Sequence, residues 1–455
     1  MALVNNSETS CKTLGNHSHS NAAYGQYTQH LQLLNSYQSN FSISDDSIIT
    51  QLNDAIRYAK SYSPFYIDKA SWHEVDTIEA FQHLPFTSKE DVKSCYPFNL
   101  LAVDFSNIIR YGESTGTSGQ YSSGFVTKND WLSNNLEVCL SWGKILSNQD
   151  ILAVAVPYEL TYVGADIDRV AEILNITVVS IGTNNILCPW TRLVNLIKTY
   201  SITTLFCSPT RAIRLAQLAT EAGLDPKSST VNKIICVGEP SSSAKQKFIA
   251  ESWNAKVYNH YGMTEALAVA TPCEKQKLHL CSNRLFSETL SPKTGNPVPL
   301  GEMGELVFTT LNTEAMPLIR YKTGDLIRLD HEPCSCGNPH PTFTHLGRED
   351  DIFEAPDGLH HFSELDTVLF SIQGLEPYFS YTVTDNQTLS ISAFHTQTNT
   401  EDKSLTAERI RTEIRKTFDI EANVSVSNNN EMLEIIDNCS KPGTAIPSSP
   451  LMSQQ

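Results

Sequence analysis

The sequence predicts an α/β protein. A large N-terminal domain of mostly parallel sheets covered by helices carries a small β-rich subdomain, and a small mobile α+β domain follows at the C-terminal end. Three observations predict this. Between residues 151 and 239, short apolar runs rich in β-branched residues alternate with helical patterns. After residue 290 the helical patterns give way to strands that read as antiparallel. From about residue 350, strands and a helix alternate again in a smaller unit.

The alternating region supplies the main sheet. "ILAVAVPY" (151–158), "ITVVSIG" (176–182), "TTLFCSP" (203–209) and "KIICVGE" (233–239) are short and end in turn residues. Helical spacing in "RLVNLIKTY" (192–200) and "PTRAIRLAQLATEAG" (209–223) separates them. Strand–helix–strand repetition makes a parallel sheet covered on both faces. Ligands of such sheets sit beyond the carboxyl ends of the strands, where "CSP" (207–209) and "GEP" (238–240) fall. Next, "GELVFTT" (304–310) and "IRYKTGDLIRLD" (319–330) read as antiparallel strands. "FSYTVTD", "LSISAFH" and "AERIRTEIRKTF" build the last unit.

The expected divisions are a mobile arm over 1–42 with one helical turn near "YTQHLQLLNSY", a large domain over 43–347, a small domain over 348–440, and a loose tail over 441–455. The boundary falls at "GREDD" (347–351).

Bulk properties agree. A chain of 455 residues exceeds one ordinary core, so two domains are the expectation. A formal charge of −17 argues against a general nucleic-acid or anionic-membrane binder. No run of about eighteen apolar residues occurs, so no membrane span is expected. The first twenty residues lack the basic and apolar regions of a secretory signal. Eleven cysteines, an odd number, read as reduced thiols in a cytoplasm, with at most a subset binding metal.

Four motifs carry candidate chemistry. "YGESTGTSGQYSSG" (111–124), between a strand and a helical pattern, offers backbone N–H groups and hydroxyls to a polyphosphate. The plainer alternative is a flexible linker. No Gly-Lys-Ser/Thr closes it, so it is not a Walker loop, and Gln120 stands where a phosphate loop usually offers lysine. In "VYNHYGMTEA" (257–266), Tyr261 can stack on a base and Glu265 can hold Mg²⁺. The alternative there is a strand turning into a helix capped by Thr264. In "RYKTGDLIRL" (320–329), Asp325 can accept both hydroxyls of a ribose, or the segment is a plain hairpin turn. In "HLGREDDIF" (345–353), Arg348 can reach the same ribose or a phosphate, or belong to a charged surface loop.

Each motif is weak alone. Their combination and order resemble the adenylate-forming superfamily of acyl-CoA ligases and adenylation domains. "SPFYIDK" (63–69), "LPFTSKEDVKSCYPFNLLAV" (84–103) and "VGEPSSSAKQKFIAESWNAKVYNHYGMTEA" (237–266) resemble its phenylacetate–CoA ligase branch. The resemblance covers roughly residues 50 to 365. It implies activation of a small carboxylic acid, aryl by default, to an acyl-adenylate with release of pyrophosphate, then transfer to a thiol. It implies ATP and Mg²⁺, with Ser114, Thr115, Gly116, Thr117 and Gly119 around the phosphates. Gly238, Glu239, Pro240, Tyr261 and Gly262 are implied at the nucleotide, Asp325 and Arg348 at the ribose, and Thr264 and Glu265 in catalysis. Lys441 in "NCSKPGTAI" is the best match for the small domain's catalytic lysine. It lacks the usual preceding glycine, and a plain tail lysine is the alternative. Gln120 and Lys441 are thus two departures at lysines, which point to slow, assisted or redirected catalysis.

The resemblance leaves the acceptor open between CoA, a carrier protein and an amine, and allows a homodimer. A nucleotide-binding homologue with little ligase activity is the rival of another class. "PYELTYVGAD" (157–166) is expected to line the acid pocket. Separately, Cys273 and His279 in "CEKQKLHLC", with Cys334 and Cys336 in "PCSCGNPHP", make a plausible tetrahedral structural zinc site. Four unrelated side chains are the plainer alternative. Some relatives in the branch carry a zinc on this C-x₅-H and C-x-C arrangement. Cys281 and His340 are rival ligands.

Overall fold

The computed structural model describes residues 45–115, 121–383, 388–395, 402–428 and 430–438. The predicted arm with its helical turn, Gly116, Thr117, Gly119 and Gln120 of the phosphate loop, and the tail with Lys441 lie outside the described residues.

Four helices open the described chain: α1 (Asp45–Tyr62), α2 (Pro64–Ile67), α3 (Ile78–Gln82) and α4 (Lys89–Ser94). α4 starts where it does because Ser88 and Asp91 form a reciprocal capping box, which satisfies two donors that a helix start otherwise leaves orphaned. Next come β1 (Ile108–Thr115) and β2 (Tyr121–Thr127), an antiparallel pair in which Gly112 faces Gly124 and Ser114 faces Ser122. The stretch read as one loop is therefore mostly two strands. Its serines and threonines have no apolar alternation to betray β2. Thr127 and Asp130 then cap α5 (Lys128–Trp142) with a second capping box.

The parallel sheet appears where the alternation placed it. β3 (Ile151–Val154), β4 (Thr177–Ser180), β5 (Thr204–Cys207), β6 (Lys233–Cys236) and β7 (Lys256–Asn259) run parallel in the order β4-β3-β5-β6-β7. α6 (Val163–Ile173), α7 (Trp190–Tyr200), α8 (Pro209–Glu221) and α9 (Ser243–Trp253) connect and cover them. Because strand side chains alternate, each strand feeds two cores. Leu152, Val154, Phe206 and Ile235 enter one, and Ala153, Leu205, Cys207 and Ile234 the other. Only four residues of each apolar run are strand, starting at its first or second residue, and the residues after them form the connections at the carboxyl ends.

The antiparallel region begins earlier than its pattern suggested. β8 (Tyr261–Met263), β9 (Leu267–Pro272), β10 (Leu278–Leu280), β11 (Leu285–Leu290), β12 (Met303–Thr310), β13 (Tyr321–Leu329) and β14 (Thr342–Arg348) form one sheet in the order β11-β12-β13-β14-β10-β9-β8. β8 and β10 have three residues each, too short for a period-2 signal.

The last part holds the hairpin β15 (Phe353–Ala355) and β16 (Gly358–His360), then α10 (Phe362–Ser371). A small sheet of β17 (Phe379–Val383), β18 (Leu389–His395) and β19 (Ala422–Asn428) follows, with α11 (Lys403–Phe418) joining its parallel pair β18 and β19. Phe353, Leu365, Ile391, Ile410 and Ile414 make its own core. α12 (Asn430–Asn438) instead docks on the large part. Ile436 is buried in the core shared with Trp190 and Ile213. Arg214 donates to both Asp437 carboxylate oxygens at 3.0 and 3.1 Å, and Trp190 Nε1 donates to Asp437 O at 2.8 Å. Among the described residues no helix is long and apolar enough to cross a membrane.

Candidate active site

A cavity of about 510 Å³ lies at the carboxyl ends of the parallel strands. Val156 and Pro157 after β3, Ser208 after β5, Gly238 after β6 and His260 after β7 line it. This is where a doubly covered parallel sheet presents its ligand crevice. β1 adds Glu113 and Ser114, the β8–β9 turn adds Gly262, Met263 and Thr264, and the start of α6 adds Tyr162, Val163 and Asp166.

The glycines of the β1–β2 hairpin have a packing role. A Cβ on Gly112 would stand 2.9 Å from the Tyr162 ring, and one on Gly124 2.6 Å from Tyr162 Oη and 2.9 Å from Thr264 Cγ2. The two glycines face each other across the hairpin, so together they admit the Tyr162 ring against the backbone. Gly262 is equally constrained, since a Cβ there would meet Leu267 O at 2.7 Å.

A polar knot adjoins the cavity through β8, because Tyr261 precedes the cavity-lining Gly262. Tyr261 Oη donates to Asp325 Oδ2 at 2.6 Å, and Arg348 Nη1 donates to Asp325 Oδ1 at 3.2 Å. His345 Nε2 lies 3.5 Å from the same oxygen. Arg348 and Asp325 are cross-strand partners on β13 and β14. Burial pushes the Asp325 carboxyl up, but His345, Arg348 and Tyr261 outweigh it and hold it below the usual carboxylate range. Asp325 therefore stays an anionic acceptor. Gly324, at φ +70°, passes beneath Arg348 Nη2, leaving no room for a side chain.

The remaining expected residues fall around these two features. Thr264 and Glu265 occupy the β8–β9 turn, and no helix follows, so the helix-cap alternative for Thr264 fails. Glu239 Oε2 accepts from Thr210 N at 3.2 Å near the start of α8, and Pro240 leads into α9, which Ser242 caps. Thr115 ends β1.

Sequence reasoning missed Lys89 and His260. Lys89 opens α4 and is half-buried. Burial lowers its pKa, Arg348 adds to this, and Glu265 and Asp325 oppose it, so it shares their electrostatic field. It stood inside "FTSKEDV", which read only as family phrasing. His260 is buried, and that burial lowers its pKa to about 4, so its ring is neutral at pH 7 with Nδ1 unpartnered.

Cys273, His279, Cys334 and Cys336 come together on the far end of the antiparallel sheet, their ligand atoms all within 4.8 Å of one another. Cys273 Sγ and Cys334 Sγ are 3.8 Å apart, about the edge of a tetrahedron with ~2.3 Å metal–sulfur bonds. His279 Nδ1 donates to His340 O at 2.8 Å, because a carbonyl can only accept. That leaves the Nε2 lone pair facing Cys336 Sγ at 3.3 Å. The donor set thus fits zinc. The rival ligands lie outside this group: Cys281 is buried in the core, and His340 turns Nδ1 to Leu280 O at 3.1 Å.

Comparison with known proteins agrees with this fold. The family described as "AMP-binding enzyme" matches residues 170–313. A phenylacetate-coenzyme A ligase of Thermus thermophilus is 32% identical over 361 residues, 74% of this chain and 78% of that protein. The phenylacetate-coenzyme A ligase of Escherichia coli is 27% identical over 73% of this chain and 77% of that protein. In fold, the chain is similar to the crystal structure of 2-hydroxyisobutyryl-CoA ligase in the postadenylation state. The TM-score is 0.77 and the identity 22%, covering 85% of this chain and 86% of that one.

Proposed function

Because the chain belongs to the AMP-binding enzymes of the phenylacetate–CoA ligase family, we propose that the cavity at the carboxyl ends of the parallel strands is where it joins a small carboxylic acid to ATP and then to a thiol. The observation that carries this reading is the anionic Asp325 knot set one residue along β8 from an acid-sized, mostly apolar cavity.

In the first half-reaction a carboxylate oxygen of the acid attacks the α-phosphorus of ATP and pyrophosphate leaves. In the second, the CoA thiol attacks the acyl carbon and AMP leaves. The physical demand is alignment plus relief of negative charge. Asp325 takes the ribose hydroxyls and Arg348 holds Asp325 in place. Lys89 supports the phosphates with positive charge. This lends weight to Lys89 because Gln120 brings none. The hairpin hydroxyls, Ser114 first, and the Gly238 backbone bind along the phosphates and acyl group. Neutral His260 can donate Nδ1–H to the acid's carboxylate. Glu265, with Thr264 beside it, would hold Mg²⁺, which when bound neutralises phosphate charge. Lys441 lies three positions beyond Asn438, and Asn438 lines the cavity, which supports a role for that lysine in adenylation.

Zinc on the Cys273–His279–Cys334–Cys336 group is structural in this reading, since protein fills all four positions. The described cysteines are all unpaired thiols, which fits a reducing, cytoplasmic setting. The parts over 43–347 and 348–440 pivot at Glu349–Asp351, the short turn after β14.

The direct test is pyrophosphate release from ATP with a panel of carboxylic acids, followed by addition of CoA and then of a carrier protein. Acid-dependent release with thioester formation on CoA is expected. Release in no case would leave a nucleotide-binding homologue, and acyl transfer only to the carrier protein would change the acceptor.

Two further outcomes follow. Asp325→Ala removes the ribose acceptor and should raise the KM for ATP by about tenfold or more, as the loss of a charge-assisted bond of ~1.5–3 kcal/mol implies. An unchanged KM would displace the ribose from this knot. The second half-reaction needs the small part to move, so α12 must leave α8. Asp437→Ala removes the two-oxygen partner of Arg214, leaving it Glu221 at 3.4 Å, and should weaken docking. Pyrophosphate release should fall several-fold, while transfer from preformed adenylate to CoA holds or rises. Equal losses in both steps would exclude α12 docking as the controlling contact.

A further inference from the structure

We propose that Asp166 is a specificity-determining residue of the acid pocket, selecting a carboxylic acid that carries a hydrogen-bond donor, an amino or hydroxyl group, at the end remote from its carboxylate. The proposal rests on the acid-activating reading above and narrows its substrate class.

Asp166 lines the cavity from the first turn of α6 and is only 5% exposed. The wall around it is otherwise largely apolar, with Ala155, Val156, Val163, Leu267 and Ala268. A carboxylate in such a wall carries a large desolvation cost unless something pairs with it. Its hydrogen-bond partners are neutral amides. Asn134 Nδ2 donates to Oδ1 and Oδ2 at 2.9 Å each, and Asn135 Nδ2 donates to Oδ1. The nearest guanidinium reaches Asp166 only through Asn134: Arg284 Nη1 donates to Asn134 Oδ1 at 3.0 Å and to Ala268 O at 2.9 Å, and Nη2 donates to Ala266 O at 3.1 Å. The Asn134–Arg284 chain thus fixes the Asp166 carboxylate without neutralising it by direct contact. Burial raises its pKa to about 6, against the pull of Asn134 and Arg284, so it is mainly an acceptor at pH 7.

A carboxylate has about four lone-pair directions, and two amide groups serve it here. The capacity left over is open to a cavity that Asp166 lines together with apolar Ala155, Val156, Val163, Leu267 and Ala268. Helix geometry adds a second polar group. Asp166 N donates to Tyr162 O at 2.8 Å, which places the two side chains one above the other, and Tyr162 Oη is also buried without a partner. Like charge decides the orientation. The reacting carboxylate is repelled by Asp166 and takes the end near His260 and the phosphates, so the group that meets Asp166 is at the opposite end. An acid that brings N–H or O–H there satisfies the acceptor. An unsubstituted acid leaves Asp166 with only its two amide partners and its remaining acceptor capacity unfilled, and unfilled buried acceptor capacity is what lets a binding site discriminate.

The test compares acids that differ only in the donor: phenylacetate with 4-hydroxy- and 4-aminophenylacetate, and hexanoate with 6-aminohexanoate, read as kcat/KM for pyrophosphate release. Wild type should favour the donor-bearing member of a pair by about ten- to a hundredfold, and the hydroxyl and amino arms identify which donor it takes. Asp166→Ala should erase that preference through the KM for the acid, with the KM for ATP unchanged. Asp166→Asn, of the same size, should reduce it while leaving thermal melting near wild type. A purely structural role tying α5 to α6 would instead lower activity with every acid alike. Equal use of paired acids by wild type overturns the proposal and leaves acid activation standing. Preference retained in Asp166→Ala does the same. Release with no acid at all overturns both, and wild-type discrimination needs no variant to be read.

Discussion

Glu265→Gln is expected to abolish acid-dependent pyrophosphate release while the protein remains folded. Glu265 sits at the centre of the tight β8–β9 turn, between the cavity-lining Thr264 and Ala266. Leu267, at φ +62°, is held in a left-handed conformation that a branched residue adopts only under constraint, so this turn is held in place rather than loose. Both Glu265 and Asp325 raise the Lys89 pKa against its burial, so the two carboxylates act on the same lysine. Replacing it by an amide removes a unit of negative charge where a magnesium ion would be held and leaves shape nearly unchanged. The loss should be several kcal/mol of transition-state stabilisation, or about three orders of magnitude in rate. Melting temperature should hold, since the amide keeps the size and shape of the carboxylate. Unchanged release in the variant would remove Glu265 from the mechanism.

Cys334→Ser with Cys336→Ser should give the largest loss of stability. Metal analysis of wild type should find one zinc per chain, and the double variant should have none. The four side chains bring the β9–β10 turn and β10 to the segment between β13 and β14, distant in sequence, so a metal held there would close a long loop in the antiparallel sheet. Structural zinc contributes on the order of ten kcal/mol of binding energy to a folded site, comparable to the whole stability of a domain. The variant should melt many degrees lower or fail to accumulate. Cys281→Ser, which alters a buried thiol outside the group, serves as the control and should keep the metal. Metal-free wild type with unchanged melting in the double variant would reduce the cluster to four neighbouring side chains.

The sequence alone pointed to a parallel sheet and located four of its five strands, because that evidence is local: short apolar runs separated by helical patterns make strand–helix–strand units. It determined the ordered set of motifs as well, since each is contiguous in the chain. It also paired Cys273 and His279 with Cys334 and Cys336 as candidate metal ligands, though only the sheet register brings the two segments within reach. The hairpin β2 escaped notice because Ser and Thr carry no period-2 contrast. The same lack of local signal hid the role of Gly112 and Gly124, which is to admit the ring of Tyr162 from the residue before α6, far along the chain. Lys89 and His260 acquired meaning only through the fold, and Asp166, within the stretch expected to line the acid pocket, acquired its partners only there. Nothing in "SKEDV", "NHYG" or "GADID" states that a lysine shares a field with Glu265, that burial keeps a histidine neutral, or that two asparagines on α5 hold a carboxylate against an apolar cavity. Charge, burial and hydrogen bonding act over distances in space, and tertiary packing alone sets those distances.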